Sequence, residues 1–211
     1  MADSMIMLPK GVDVSHHQGP IDWDRVKGAG TSFAFIKATE GTGFVDSAFT
    51  RNWEEAGRVG ILRGAYHYFR PSLPADKQAR HFLNHIPPMV QGDIQPTLDF
   101  EETDDQPYEQ VLRDARKWVD IVERALQRQV IVYTYPYFWT ELMHNSEMFC
   151  NQPLWYAAYR SDMPKQLPGG WPRMSFWQFT ATGSVPGIKG RVDRNMFNGT
   201  LANLRKFAGY K

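Results

Sequence analysis

Short apolar segments alternate with amphipathic segments along most of the chain. The run Phe33–Ala38 is apolar without polar alternation, which is typical of a strand covered on both faces. Apolar residues recur at helical spacing in Tyr108–Gln127, which predicts the longest helix. The other segments predicted as helices are Asp22–Lys27, Ala48–Arg58, Ala75–His85, Phe138–Asn145 and Leu201–Phe207.

Strands are predicted between these helices, and after residue 150 the predicted strands follow one another through Pro- and Gly-rich loops. They are Gly11–Ser15, Phe33–Ala38, Ile61–Phe69, Pro96–Glu101, Val130–Thr134, Leu154–Tyr159, Met174–Phe179 and Ile188–Asp193. Five strand-helix units followed by three more strands predict an α/β fold, an irregular TIM-like β/α barrel with eight strands and about five helices. An open doubly wound sheet is the alternative architecture.

Composition limits the partners and the organisation of the chain. Its 211 residues, 42% of them apolar, are enough for one large core, so we expect an N-terminal lead at residues 1–10 and a single domain over 11–211. Lys plus Arg (24) balances Asp plus Glu (23), which argues against nucleic acid as a partner. Cys150 is the only cysteine, so no internal disulfide is expected. No apolar run approaches the roughly 20 residues of a membrane span, and none resembles a signal peptide. The oligomeric state that we expect is a monomer.

Acidic residues recur where the predicted strands end. Asp13 lies in the first strand, Asp99 and Glu101 end the fourth, and Asp193 ends the last. In a parallel barrel the loops after the strand ends build the site, so these carboxylates should meet at one rim. Strand alternation places Asp99 and Glu101 on one face, about 7 Å apart at their bases. Repulsion between them should raise one pKa and supply a proton donor, the division of labour that glycoside cleavage needs.

Other interpretations of these residues are open at this point. An Asp-x-Glu triplet arises by chance in many acidic chains, and Asp13 is also a residue type that stabilises turns. His16 and His17 suggest a metal site, but adjacent side chains point apart and no familiar metal-binding spacing follows them. We therefore expect neither a metal nor another cofactor. The candidate substrate-binding residues, mostly aromatic and predicted near the same rim, are Tyr66, Tyr68, Tyr133, Trp155, Tyr159 and Gln178.

Six motifs, in order, carry a family resemblance over nearly the whole chain. They are GVDVSHHQG at 11–19, FIKATEG at 35–41, GAYHY at 64–68, LDFE at 98–101, WQF at 177–179 and VDRN at 192–195. In these motifs the chain resembles the family-25 glycoside hydrolases, the lysozymes of the Chalaropsis type. The resemblance implies a β/α barrel, with 11–211 as a single catalytic domain. It also implies hydrolysis of the β-1,4 bond between N-acetylmuramic acid and N-acetylglucosamine in peptidoglycan glycan strands.

The resemblance also implies roles for the four acids. Glu101 is then the general acid, and Asp99 stabilises the transition state, either as a nucleophile or by orienting the acetamido group of the substrate. Asp13 and Asp193 complete an acidic floor. The resemblance implies action on the cell wall, in an extracellular or periplasmic location. The sequence leaves the route of export or release open.

Three rival functions are weighed against a lysozyme. A chitinase-like N-acetylglucosaminidase usually carries a further Asp where this chain has Thr97. An inactive cell-wall binding module has no evident use for four crowded carboxylates. A metal-dependent hydrolase rests only on His16, His17 and the nearby acids.

Overall fold

The computed structural model describes residues 8–210, in which eight strands close into a barrel. A ninth, two-residue strand forms a hairpin outside the ring. The strands are β1 (Lys10–Val14), β2 (Thr31–Glu40), β3 (Phe44–Val45), β4 (Leu62–Tyr68), β5 (Thr97–Asp99), β6 (Ile131–Thr134), β7 (Leu154–Ala157), β8 (Phe176–Gly183) and β9 (Val192–Phe197). The predicted lead at residues 1–10 lies mostly outside the described residues, and its last residue, Lys10, opens β1.

Closure of the sheet rules out the open doubly wound alternative. The strand order is β1-β9-β8-β7-β6-β5-β4-β2, and β2 pairs in turn with β1. Neighbouring strands of the ring are parallel except at β9, which is antiparallel to both β8 and β1. The predicted fold class, an irregular TIM-like barrel, is confirmed.

Five α-helices lie within residues 8–210, in agreement with the expected number. They are α1 (Trp23–Gly28), α2 (Phe49–Arg58), α3 (Ala75–His85), α4 (Tyr108–Leu126) and α5 (Leu201–Phe207). A 3-10 turn at His16–Gln18 follows β1, and the short helix predicted at Phe138–Asn145 is a π-helix over Phe138–Leu142. Among the described helices, none is long and apolar enough to cross a membrane.

The prediction of a last strand at Ile188–Asp193 is wrong in its bounds, because β9 begins at Val192. Val185 and Ile188 are apolar because they are buried at a turn, where the Ile188 amide donates to the Val185 carbonyl at 3.0 Å. Gly187 in this turn has a φ of 100°, a conformation that favours glycine. Burial in a loop therefore produced the apolar pattern of a strand.

Side-chain alternation along the strands separates two apolar layers. The inner layer fills the barrel and includes Phe33, Phe35 and Trp155, whereas the outer layer lies between the strands and the helices. Glycines on the inner face make room for these rings. A Cβ at Gly11 would come within 2.3 Å of the Phe33 ring, and one at Gly64 within 2.8 Å of the Phe35 ring. The interior is a packed core on which the site rests.

Candidate active site

The four acids predicted as site residues lie at one rim of the barrel, where β1 and β5 end and β9 begins. Asp13 is in β1, Asp99 ends β5 and Glu101 follows it. Because β9 is antiparallel, its first residues reach this rim, and Asp193 is the register partner of Asp13. The last strand therefore delivers its acid from its beginning, not from its end as the sequence suggested.

Asp13 lies at the bottom of the site and is held by two amide side chains. Its Oδ2 accepts a hydrogen bond from Asn195 Nδ2 at 2.7 Å and one from Gln178 Nε2 at 3.0 Å. The Asn195 amide is oriented by Trp155, whose Nε1 donates to Asn195 Oδ1 at 2.7 Å. Each amide thus points its donor at the carboxylate because its own oxygen is already in use.

Two tyrosines orient the Gln178 amide in the same way. The hydroxyls of Tyr133 and Tyr159 donate to Gln178 Oε1 at 3.1 and 2.9 Å. Tyr133 is 8% exposed, whereas Tyr159 is 60% exposed and offers a ring at the rim. Tyr133, Tyr159 and Gln178 therefore form one hydrogen-bond network with Asp13.

Trp155 lies under the acids instead of lining an open surface. It is 2% exposed and stacks on Phe35 with ring centroids 4.1 Å apart. A buried ring cannot offer its face to a sugar, in contrast to the expectation from the sequence. Tyr66 and Tyr68, both on β4, are only partly buried and stay as candidates for substrate contact.

Burial dominates the electrostatics of the acidic floor. Loss of hydration raises the pKa of Asp13 to about 8, and repulsion from Asp193 adds to the rise, against the hydrogen bonds from Asn195 and Gln178. Burial also raises the pKa of Asp193. The floor therefore holds protons at pH values where exposed carboxylates have lost them.

Asp99 and Glu101 share the same low-dielectric surroundings. Burial raises the Asp99 pKa well above its usual range, repulsion by Glu101 raises it further, and Lys37 opposes both. Burial, followed by the nearby Glu102 carboxylate, raises the Glu101 pKa to about 7, again against Lys37. A carboxyl that titrates near neutrality can donate a proton at physiological pH.

Phe100 fixes the direction of the two acids on either side of it. Its ring is fully buried in the outer layer, 5.1 Å from the ring of Phe138 and 5.9 Å from that of Phe69. Asp99 and Glu101 consequently face the cleft, the alternation that the sequence predicted, although the ladder of β5 already ends at Asp99. Burial of the Phe100 ring therefore continues the alternation of side-chain directions past Asp99, the last residue of β5.

Sequence reasoning missed Lys37 and Asn195 as site residues. Asn195 is two residues after Asp193 in β9, so the alternation that joined Asp99 to Glu101 also places Asn195 beside Asp193. Lys37 is a cation within an apolar strand, where a charge needs a partner. Both signals are present in the sequence.

The two adjacent histidines do not gather ligands. His16 Nδ1 lies 2.7 Å from Asp46 Oδ2, and the His16 backbone amide donates to the same oxygen at 3.0 Å. His17 is exposed. Among residues 8–210, no group of three or more His, Cys, Asp or Glu is arranged to hold a metal ion.

Two neighbouring carboxyl groups with raised pKa values, at the rim of a β/α barrel where the parallel strands end, are typical of the active site of a glycoside hydrolase. The chain belongs to the glycosyl hydrolases family 25, whose profile matches residues 12–188. Membership confirms the resemblance seen in the six sequence motifs.

Relatives and solved structures agree with this assignment. The chain is 37% identical to lysozyme M1 of Streptomyces globisporus, over 94% of this chain and 71% of that protein. It is 30% identical to an N,O-diacetylmuramidase of Chalaropsis sp, over 94% of this chain and 98% of that protein. The crystal structure of a lysozyme from Streptomyces coelicolor superposes with a TM-score of 0.91 at 35% identity, covering 96% of this chain and 97% of that one.

Proposed function

We propose that this chain is a lysozyme that hydrolyses the β-1,4 bond between N-acetylmuramic acid and N-acetylglucosamine in peptidoglycan. The observation that carries the proposal is the pairing of Asp99 and Glu101 at the open end of a family-25 barrel. Relatives that cover most of the chain are named for the same activity, lysozyme M1 and N,O-diacetylmuramidase.

Glu101 serves as the general acid in this proposal. Its pKa of about 7 leaves a substantial protonated fraction at neutral pH, and it is less buried than Asp99, which suits contact with a leaving oxygen. Protonation of that oxygen lets the bond break as positive charge develops on the sugar ring. After departure of the leaving group, the same carboxylate can activate the water that completes hydrolysis.

Asp99 stabilises the positive charge that develops on the sugar ring during bond cleavage. A buried carboxylate oxygen without a protein partner, as Asp99 Oδ1 is among the described residues, is available to a reacting group. It acts either as a nucleophile or by orienting the acetamido group of the substrate. Hydrolysis of a substrate with a hydroxyl in place of that acetamido group separates the two, because only the nucleophilic route survives the exchange.

Asp13 and Asp193 complete the floor beneath the reacting bond. The hydrogen bonds to Asp13 fix its position, and its negative charge, when present, repels the two acids above it. The partly buried Tyr66 and Tyr68, with the exposed ring of Tyr159, border the cleft as the surfaces for sugar contact. The enzyme acts as a monomer on the cell wall, outside the cytoplasm.

Glu101→Gln tests the proposal directly. The amide has nearly the shape of the acid but cannot donate the proton, so clearing of a peptidoglycan suspension should fall by at least about 100-fold while pelleting with the walls persists. Glu54→Gln, the same change on the exposed face of α2, is the matched control and should clear walls at the wild-type rate. Wild-type clearing by Glu101→Gln would remove Glu101 from the acid role.

Substrate comparison separates the lysozyme from its rivals. Soluble chitin fragments and purified peptidoglycan are offered to the wild-type enzyme side by side. We expect cleavage of peptidoglycan; cleavage of chitin alone would favour a chitinase-like enzyme, and binding of walls without any cleavage would favour an inactive module. Full activity in excess chelator is expected for acid chemistry that needs no metal.

A further inference from the structure

Lys37 is a nearly buried cation at the edge of the acidic cleft. Its side chain is 11% exposed, and its Nζ donates to Glu40 Oε2 at 2.8 Å. The same Nζ lies 4.8 Å from the centre of the Tyr68 ring and 5.5 Å from that of Phe44. These aromatic faces favour a cation. The ammonium is therefore held between one carboxylate and two rings.

Glu40 is held from its other side by Arg70. Glu40 Oε1 accepts a hydrogen bond from Arg70 Nε at 2.9 Å and forms an ion pair with Arg70 Nη2 at 2.8 Å, while Glu40 Oε2 accepts from Lys37. Arg70 Nη1 donates to Asp104 Oδ1 at 3.2 Å. Alternating charges thus run from β2 through the loop after β4 to the loop after β5.

The far end of this chain of charges lies on the loop after β5, the loop that contains Glu101. Asp104 and Asp105 have φ values of 47° and 58°, which are uncommon for residues other than glycine. Ser72 holds the Asp104 side chain, donating to Oδ2 from its backbone amide at 3.2 Å and from its hydroxyl at 2.8 Å. A strained loop is maintained by polar contacts to the same arginine that fixes Glu40.

Lys37 faces a cleft crowded with acids. Lys37 follows Phe33 and Phe35 on the inner face of β2, and its Nζ lies against the ring of Tyr68, which is the register partner of Asp99. From this place its charge lowers the pKa of both Asp99 and Glu101, against burial and the surrounding carboxylates. The other ionisable groups around the two acids are Asp13, Glu40, Tyr66, Tyr68, Glu102, Tyr133, Tyr135, Tyr159 and Asp193. A small movement of the ammonium would change its electrostatic effect on each acid.

We propose that Glu40, clamped by Arg70, holds the Lys37 ammonium in place, and that Lys37 from there favours the ionised forms of Asp99 and Glu101. Glu40 and Arg70 are then positioning residues that act on the acid pair through Lys37. The inference deepens the proposed function, on which it rests for the roles of the two acids. It assigns a purpose to a network that touches none of the reacting atoms.

Lys37→Met tests the electrostatic part. Without the cation, the carboxyl pKa values of Asp99 and Glu101, followed by ¹³C NMR, should both rise by about one pH unit. The pH profile of wall clearing should shift in the same direction. Lys10→Met is the matched control, because Lys10 is exposed at the start of β1, away from the acidic rim where β1 ends. It should leave the pKa values of Asp99 and Glu101 unchanged. Unchanged Asp99 and Glu101 titrations in folded Lys37→Met would overturn the proposal, and Lys37→Gln provides the same test if the first variant fails to fold.

A double-mutant cycle tests the positioning part. Glu40→Gln is made in the wild-type chain and in Lys37→Met, and the change in the Asp99 pKa is compared between the two. Direct repulsion by Glu40 is present in both backgrounds, so the difference between the changes measures what passes through Lys37. We expect a difference of at least about 0.5 pH unit. Equal changes in both backgrounds would show that Glu40 acts by its own charge alone.

These readouts separate the inference from the function on which it rests. The NMR titrations need no activity, so they remain decisive even if the wild-type enzyme does not clear walls. If the wild-type enzyme clears walls but the pKa values of Asp99 and Glu101 are unchanged in Lys37→Met, the proposed function stands and the inference about Lys37 is wrong.

Discussion

A single buried residue, Asp13, lowers the free energy of unfolding at neutral pH. Burial raises its folded pKa to about 8, above the usual 3.8 of an exposed Asp. Between these two values the folded protein holds a proton that the unfolded chain has released, so stability falls as pH rises through this window. The stabilising contribution of the neutral acid is complete below pH 3.8 and is lost by about pH 8.

Asp13→Asn should therefore stabilise the protein at neutral pH. The amide keeps an oxygen for the donors of Asn195 and Gln178 without the cost of a buried charge. We expect a free energy of unfolding at pH 7 that is higher by on the order of a few kcal/mol, with the gain vanishing toward pH 4. Urea unfolding across this pH range measures it. A gain that is constant with pH would contradict the linkage.

At the scale of elements, α5 closes the barrel at the end opposite to the acids. The antiparallel β9 runs away from the active-site rim, and α5 follows it, placing Leu204 and Ala208 against the inner apolar layer. The helix begins with a capping box in which Thr200 Oγ1 accepts from the Asn203 amide at 3.1 Å. Stability and catalysis are thus served by opposite ends of the same strands.

Leu204→Ala should lower stability without changing the chemistry. Leu204 is fully buried, and its truncation leaves a cavity that costs about 2–5 kcal/mol. Leu201→Ala, in the same helix but 43% exposed, is the matched control and should cost much less. Thermal melting measures both, and kcat well below the melting temperature should equal that of the wild type. A large loss of kcat in folded Leu204→Ala would mean that the two ends are coupled.

The elements most accessible to prediction were those with strong local patterns. The helix at Tyr108–Leu126 follows from helical spacing of its apolar residues, and the buried strand around Phe33 follows from an unbroken apolar run. The exact strand β9 could not be predicted, because buried Val185 and Ile188 in a turn give the same apolar signal as a strand. Asp13, Asp99 and Glu101 could be found from strand ends, whereas the place of Asp193 depends on the antiparallel direction of β9. The burial of Trp155 depends on packing against Phe35 from a distant strand.

The whole molecule carries nearly balanced charge, yet the fold collects at one rim the four acids whose pKa values burial raises. The predicted consequence is a pH profile set by that rim. Glu101 must be protonated to act, and its pKa is about 7, so kcat/KM should fall about tenfold for each pH unit well above that value. Initial clearing rates from pH 4 to 9 at constant ionic strength measure it. Activity that is flat up to pH 9 would contradict a proton donor at Glu101.

The identity of the broken bond tests the central claim most directly. Purified peptidoglycan is digested to completion with the enzyme, the new reducing ends are reduced with borohydride, and the products are analysed by mass spectrometry. A lysozyme that cuts after N-acetylmuramic acid gives reduced N-acetylmuramic acid at the new ends, and this is the predicted result. Reduced N-acetylglucosamine at those ends would contradict the account.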